Sequence, residues 1–265
     1  MKNVTGQRDP IIKLLRELTT EEGRSREGRF FAEGEELVMR AFDFGARVES
    51  VILTERFAAT PEAEDITERA RYAGTDVYLA SSGLIGKILE AKPTPDCLAI
   101  CERKVVSLEE ALAGDCPLVQ MVESCELADN LGMLLRSTDA AGATGVVLTG
   151  ETVDPFARRV VRGSRGAVFT VPICIHRDSD RVIREAKKRG ITVIATSANA
   201  AISFFAVDYT KPMMVVVGSE HTGISDTVRE LADETVRIPM RGRINSLNIA
   251  VAASVVLYEA VRQRA

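Results

Sequence analysis

Three stretches of this sequence combine polar side chains with glycine in patterns that suit a ligand site. The first is 123–142, ESCELADNLGMLLRSTDAAG, in which Gly132 and Arg136 stand four residues apart and share one face of a helix. A glycine there removes bulk, so an anionic or backbone-rich ligand can approach the guanidinium closely. A packing glycine near an ordinary surface arginine fits the same spacing. The second stretch is 215–223, VVVGSEHTG, where an apolar run enters a turn whose glycines bracket Ser219, Glu220, His221 and Thr222. It has neither the GK[ST] of a phosphate-binding loop nor the GxGxxG of a dinucleotide fold, so those two routes of phosphate cradling do not apply. The third is 238–248, IPMRGRINSLN, a polar loop just ahead of a long apolar segment.

Such loops need rigid elements behind them. Asp129 or Asn130 is placed to cap a helix whose apolar face includes Leu131, Leu134 and Leu135. Ser246 reads as the N-cap of a C-terminal helix over 247–261, which is too apolar for a surface helix and is expected to be buried. Strands are expected at 118–122, 145–149, 191–195, 213–217 and 235–238, with helical segments between most of them. Short, nearly continuous apolar strands alternating with helices imply a mostly parallel sheet covered on both faces. In such sheets ligands collect at the carboxyl ends of the strands, where the second and third stretches fall. Upstream, helical spacing at 11–17 and 35–44 and strand-like runs at 48–53 and 77–80 describe a smaller α/β domain. The expected organisation is a domain over 1–105, a linker over 106–116 and a second α/β domain over 117–265.

Composition narrows the function classes. With 265 residues, 46% of them hydrophobic, the chain has material for two cores, and a net charge of −4 argues against general coating of nucleic acid while leaving room for a local basic patch. Five cysteines without a CxxC pair and only two histidines make a metal site improbable, and none is expected. The polar start MKNVTGQRDP does not resemble a signal peptide, and no apolar run approaches the roughly 18 residues of a membrane span. A reduced cytoplasmic protein is the expectation. Two clusters of arginine suit phosphates: Arg24, Arg26 and Arg29, diluted by Glu21, Glu22 and Glu27, and Arg158, Arg159, Arg162 and Arg165. A solvated face would read the same way.

Taken in order, the segments NLGMLLRSTDAAG, VVVGSEHTGIS and IPMRGRINSLNIAVAA resemble the SpoU/TrmH family of SPOUT RNA methyltransferases over residues 117–262. The stretch RFFAEGEELVMRAFDFG, 29–45, more loosely resembles the ribosomal-protein-like RNA-binding domain that precedes the catalytic domain in many members. The resemblance implies a SPOUT-type parallel sheet with a C-terminal trefoil knot, a homodimer that buries the C-terminal helix, and S-adenosylmethionine held bent in the knot loops. Gly218, Ile238 and Leu247 match positions around that cofactor, with Met240 and Thr196 as neighbours. Asn130, Arg136, Glu220, Ser246 and Asn248 match the polar residues of the family's catalytic site. The implied reaction is methyl transfer to a ribose 2′-hydroxyl of RNA, ribosomal more than transfer RNA because of the added N-terminal domain.

Within that resemblance Arg136 is the principal catalytic arginine. A guanidinium keeps its proton, so a phosphate clamp that lowers the pKa of the hydroxyl is one role, and the base itself is the other. The run Ser164, Arg165, Gly166 departs from the family's usual small middle residue and is similar to thiostrepton-resistance ribosomal RNA methyltransferases, where this arginine lies at the active site. The competing readings are a transfer RNA 2′-O-methyltransferase, a base methyltransferase on the same fold, a noncatalytic RNA-binding knotted dimer, and a nucleotide-binding oxidoreductase lacking the usual fingerprint.

Overall fold

The computed structural model describes residues 1–265, and its contacts divide the chain into two units: Met1–Lys104 with Phe156–Phe169, and Val105–Pro155 with Thr170–Ala265. The first unit holds β1 (Lys2–Asn3), α1 (Pro10–Glu17), α2 (Glu21–Glu27), β2 (Arg29–Glu33), α3 (Glu35–Asp43), β3 (Val48–Thr54), α4 (Pro61–Tyr72), β4 (Asp76–Ala80), α5 (Ser82–Leu89) and β5 (Cys97–Glu102). Its sheet runs β1-β4-β3-β5-β2, with β5 antiparallel to both of its neighbours and the other pairs parallel. Helix starts follow the local chemistry: Asp9 and Thr60 cap α1 and α4 with their side-chain oxygens, each followed by a proline at the first helical position. Ile12, Leu15, Phe31, Ile52, Ile85 and Leu98 form one buried cluster beneath them.

The remaining elements are α6 (Leu108–Ala111), β6 (Leu118–Glu123), α7 (Ala128–Ala140), β7 (Gly145–Thr149), α8 (Arg158–Ser164), β8 (Ile173–Ile175), α9 (Ser179–Lys188), β9 (Thr192–Thr196), β10 (Ile202–Ser203), β11 (Met213–Val217), α10 (Asp226–Leu231), β12 (Glu234–Arg237) and α11 (Ile249–Arg264). All but α8 belong to the second unit. Seven strands form a sheet in the order β10-β12-β9-β11-β6-β7-β8, and every neighbouring pair is parallel. Alternate residues serve opposite faces. Met121, Met214 and Val216 pack with Val182, Ile183 and Val228 in one core, while Leu118, Met213 and Val215 pack with Val256, Leu257 and Ala260 of α11 in the other. This is the two-sided burial expected of a parallel sheet.

Several expectations are corrected. Residues 106–116 are not a free linker: Ser107 caps α6 through a reciprocal capping box with Glu110, and Ala111 and Leu112 are buried in the second unit's core. Strand β8 has no counterpart among the expected strands, and it begins just beyond Pro172, after a 3-10 turn over Ala167–Phe169. No helix is long and apolar enough to cross a membrane. Helix α11 is buried on one side only, because Val251 and Tyr258 are 46% and 49% exposed.

The end of α11 is tied down by polar contacts. Arg264 donates Nε to the Tyr209 carbonyl at 2.7 Å and Nη1 to the Cys116 carbonyl at 3.1 Å, and Gln263 Oε1 accepts from the Tyr209 amide at 2.9 Å. Buried Glu259 accepts from Arg262 and Gln263, which together hold its carboxyl down at about 2. That value lies below the roughly 4.3 of an unfolded glutamate, so the contact stabilises the fold above that range and is lost as pH falls towards 2. Denaturation midpoints of the wild type and Glu259→Gln should therefore converge on acidification from pH 6 to 3. A gap independent of pH would contradict the assignment.

Candidate functional site

The carboxyl ends of β9, β11 and β12 surround a pocket of about 330 Å³. Leaving β11, the chain folds at once into a tight turn in which Ser219 and Gly223 exchange both backbone hydrogen bonds, at 3.0 and 2.9 Å. Gly218 must be a glycine here, since a Cβ would stand 2.1 Å from the Gly223 carbonyl carbon. The turn is anchored from below by Glu123, a buried carboxylate at the end of β6. It accepts from the Ser225 amide at 2.8 Å, from the Ser225 hydroxyl at 2.9 Å and from Ser179 at 3.0 Å. Sequence reasoning missed this anchor, and its one local signal was an acid closing an apolar strand.

Thr196, Gly218, Ile238, Met240 and Leu247, the five expected cofactor neighbours, all line this pocket, as do Glu220 and Ser246. Ile238, Met240 and Leu247 offer apolar walls of the kind a flat base requires, and the turn amides and Thr196 supply polar edges. Next to them stands a chain of side-chain hydrogen bonds. Asn130 Nδ2 donates to Glu220 Oε1 at 2.7 Å, and Asn248 Nδ2 donates to Asn130 Oδ1 at 2.9 Å. Burial raises the pKa of Glu220, but hydrogen bonds led by Asn130 outweigh it and hold the carboxyl below its ordinary value. It is therefore ionised at neutral pH. Cys125, whose Sγ donates to the same oxygen at 3.5 Å, is pushed up to about 12, first by burial and then by Glu220, and stays a thiol. Nothing in the sequence singled it out. Glu220 Oε2 is buried without a partner, an acceptor left over for a ligand donor.

Both capping expectations fail, for one reason. Helix α7 starts after Leu127 with no side-chain cap, and Asn130 sits inside its first turn because its amide is committed to Glu220 and Asn248. The cap of α11 is Asn248, whose Oδ1 accepts from Ala250 N at 2.9 Å and Val251 N at 3.4 Å. Ser246 is an exposed residue two positions ahead of that cap. Asn248 thus uses its oxygen for the helix and its nitrogen for the site.

Other expected residues lie apart from this network. Arg136 projects from α7 as an exposed side chain without a hydrogen bond or ion pair, and it does not line the pocket, whereas Gly132 on the same helix is buried. Arg165 belongs to the first unit, where its side chain pairs with Glu36 at 2.7 Å and its carbonyl accepts from Arg40. Arg24, Arg26 and Arg29 do not form a basic loop. Arg24 and Arg26 lie on α2, with Arg24 5% exposed and donating to the Leu18 carbonyl at 3.1 Å, so a phosphate contact from it is ruled out by burial. Arg26 pairs with Glu17 and Glu27, and Arg29 pairs with Glu49 at 2.5 Å. Arg158 is likewise engaged, with Glu33 at 2.6 Å and the Leu89 carbonyl at 2.8 Å. No group of side chains suited to a metal ion is present.

The sequence and the fold that carry this cleft are matched by known proteins. The SpoU rRNA methylase family model covers residues 117–258. The chain belongs to that family. An MRM3-like substrate binding domain model covers residues 9–99. Among relatives of this SpoU methylase is the 23S rRNA (guanosine-2'-O-)-methyltransferase RlmB of Xanthomonas axonopodis pv. citri, 33% identical over 80% of this chain and 88% of that protein. Two similar solved structures are an AdoMet-bound rRNA methyltransferase from Sinorhizobium meliloti and the SpoU methyltransferase AviRb from Streptomyces viridochromogenes in complex with AdoMet. The first has a TM-score of 0.85 and 31% identity, covering 98% of this chain and 97% of that one. The second has a TM-score of 0.87 and 28% identity, covering 97% and 98%.

The double use of Asn248 gives this SpoU methylase a separable test. Asn248→Asp keeps an N-cap acceptor of equal rank but loses the donor to Asn130, and it adds a second carboxylate to the Glu220 network. Thermal stability should stay near that of the wild type while methyl transfer falls steeply. Asn248→Ala should lose about 1 kcal/mol of stability as well. Retained activity in the aspartate variant would remove Asn248 from the site.

Proposed function

We propose that this chain is an RNA ribose 2′-O-methyltransferase that takes its methyl group from S-adenosylmethionine and acts on ribosomal RNA. The observation that carries the reading is the glycine-floored pocket lined by Thr196, Gly218, Ile238, Met240 and Leu247 and joined to the Glu220–Asn130–Asn248 hydrogen-bond chain, in a member of the SpoU family. The residues fit that cofactor: Gly218 lets the turn after β11 fold tightly at the pocket edge, where a Cβ would strike the Gly223 backbone, and Glu220 Oε2 is an orphaned acceptor for one of its donors. When bound, S-adenosylmethionine supplies a methyl group activated by a positively charged sulfur.

Every other part of the chemistry falls to the chain. Ile238, Met240 and Leu247 exclude water from the base, and the ionised Glu220 holds Asn130 in one orientation and places negative charge beside the pocket. A ribose hydroxyl gives up its proton to solvent water as it attacks, so a positive field at that oxygen lowers the barrier. Arg136 is assigned that task, as a clamp on the phosphate next to the target ribose. Ser246, at the pocket mouth, is assigned to the RNA side of the site.

Arg136 sits on a face of α7 and α11 that also exposes Met133, Val251 and Tyr258. Exposed apolar side chains beside an unpartnered arginine support a homodimer in which a second copy covers this face. Threading of the segment between β12 and α11 into a trefoil knot is part of the same proposal. The first unit is assigned to RNA binding, with Arg165, Arg26 and Arg29 as phosphate contacts that exchange their present acidic partners for RNA. Ribosomal RNA transcribed without modifications, incubated with the protein and methyl-labelled S-adenosylmethionine and digested to nucleosides, should carry the label on ribose. Label on a base would overturn the reading.

A further inference from the structure

One cation faces the pocket and has no part in the chemistry above. Arg229, on α10, is the single lysine or arginine among the lining residues. Its backbone is fixed to the same anchor as the glycine turn, since Arg229 N donates to the Ser225 carbonyl at 3.0 Å and Ser225 is held by Glu123. The side chain is 48% exposed, and its ion pair is a contact of 4.0 Å to Asp226, itself 96% exposed. A pair this long and this solvated contributes little, so the guanidinium keeps its donors for a ligand.

The charges of the pocket select the part of the ligand that meets those donors. Ile238, Met240 and Leu247 suit a base, and the ionised Glu220 repels an anion and attracts an ammonium or sulfonium group. A nucleoside carrying an amino-acid tail has one anionic group, its carboxylate, and a guanidinium matches a carboxylate with two parallel hydrogen bonds. We propose that Arg229 binds the carboxylate of the amino-acid tail of S-adenosylmethionine, with Glu220 and Arg229 together setting which way the zwitterion lies. This rests on the reading of the cavity as the cofactor pocket. The carboxylate is unchanged by methyl transfer, so the contact holds substrate and product alike and acts on affinity.

The test compares S-adenosylhomocysteine with its decarboxylated analogue, which keeps the amine and lacks only the carboxylate, by calorimetric titration of the full-length protein. The wild type should bind S-adenosylhomocysteine at least about tenfold more tightly than the analogue, the range of a charge-assisted hydrogen bond. Arg229→Gln should erase that preference by weakening S-adenosylhomocysteine alone, and Arg229→Lys should keep part of it. Equal weakening of both ligands by Arg229→Gln, or no weakening of either, would overturn the assignment. Gly218→Ala, whose Cβ would strike the Gly223–Ile224 backbone and displace the turn that lines the pocket, serves as the control and should weaken both ligands. If it binds both as the wild type does, the cofactor lies elsewhere, and the pocket reading fails independently of Arg229.

Discussion

Arg136→Ala should lower turnover by about a thousandfold or more while leaving the dissociation constant for S-adenosylhomocysteine within about twofold of the wild type. The separation follows from position. Arg136 is exposed on α7, makes no hydrogen bond or ion pair, and does not line the pocket, so its removal leaves the cofactor walls and the Glu220 network as they are. What it removes is a permanently charged fork for the RNA phosphate and for the negative charge that grows on the attacking oxygen. Arg136→Lys keeps the charge as a point and loses the fork, so it should fall between the two. Because no contact within the chain holds Arg136, the circular dichroism spectrum should be unchanged in both variants. Most of the activity surviving in Arg136→Ala would defeat the clamp and the base alike.

The second large effect is expected at Gly218. A Cβ at this position would meet the Gly223 carbonyl carbon at 2.1 Å, Ile224 N at 2.2 Å and the Gly223 oxygen at 2.3 Å, all of them backbone. None can rotate away, so the Ser219–Gly223 turn must move as a body. Overpacking of this kind costs about 1–3 kcal/mol, which, borne by the displaced pocket wall, is lost affinity of about five- to 150-fold. Gly218→Ala should therefore weaken S-adenosylhomocysteine by that factor in a titration, with the circular dichroism spectrum unchanged. Unchanged affinity would place the cofactor away from this turn.

The ligand-facing loops were legible because chemistry and topology coincide there. Thr196, Gly218 and Ile238 lie at or directly after the ends of β9, β11 and β12, and an apolar run ending in a glycine turn marks such a place in a parallel sheet. The long central strands were equally plain, whereas β10, with two residues, and β8, with three behind a proline, are too short to carry periodicity. The caps were misread because Ser and Asn serve equally well at an N-cap, so only the fold decides between Ser246 and Asn248. Cys125, Glu123 and Arg229 reach their roles through contacts with distant segments or a place on a pocket wall, which spacing along the chain does not encode. The cluster Arg24, Arg26 and Arg29 misled for the converse reason. Charge adjacent in sequence is dispersed by the turn from α2 into β2, one side chain inward to a carbonyl and the others into ion pairs with Glu17, Glu27 and Glu49. A division at a single point also misses Phe156–Phe169, which packs with the first unit although it lies within the second in sequence.

The central claim is that this protein places a methyl group on a ribose 2′-oxygen of ribosomal RNA. It is tested most directly by mapping 2′-O-methylation across ribosomal RNA from cells with and without the protein. The prediction is a nucleotide whose ribose methylation disappears with the protein, returns with the wild-type chain and does not return with Arg136→Ala. Identical 2′-O-methylation maps in the two strains would contradict it.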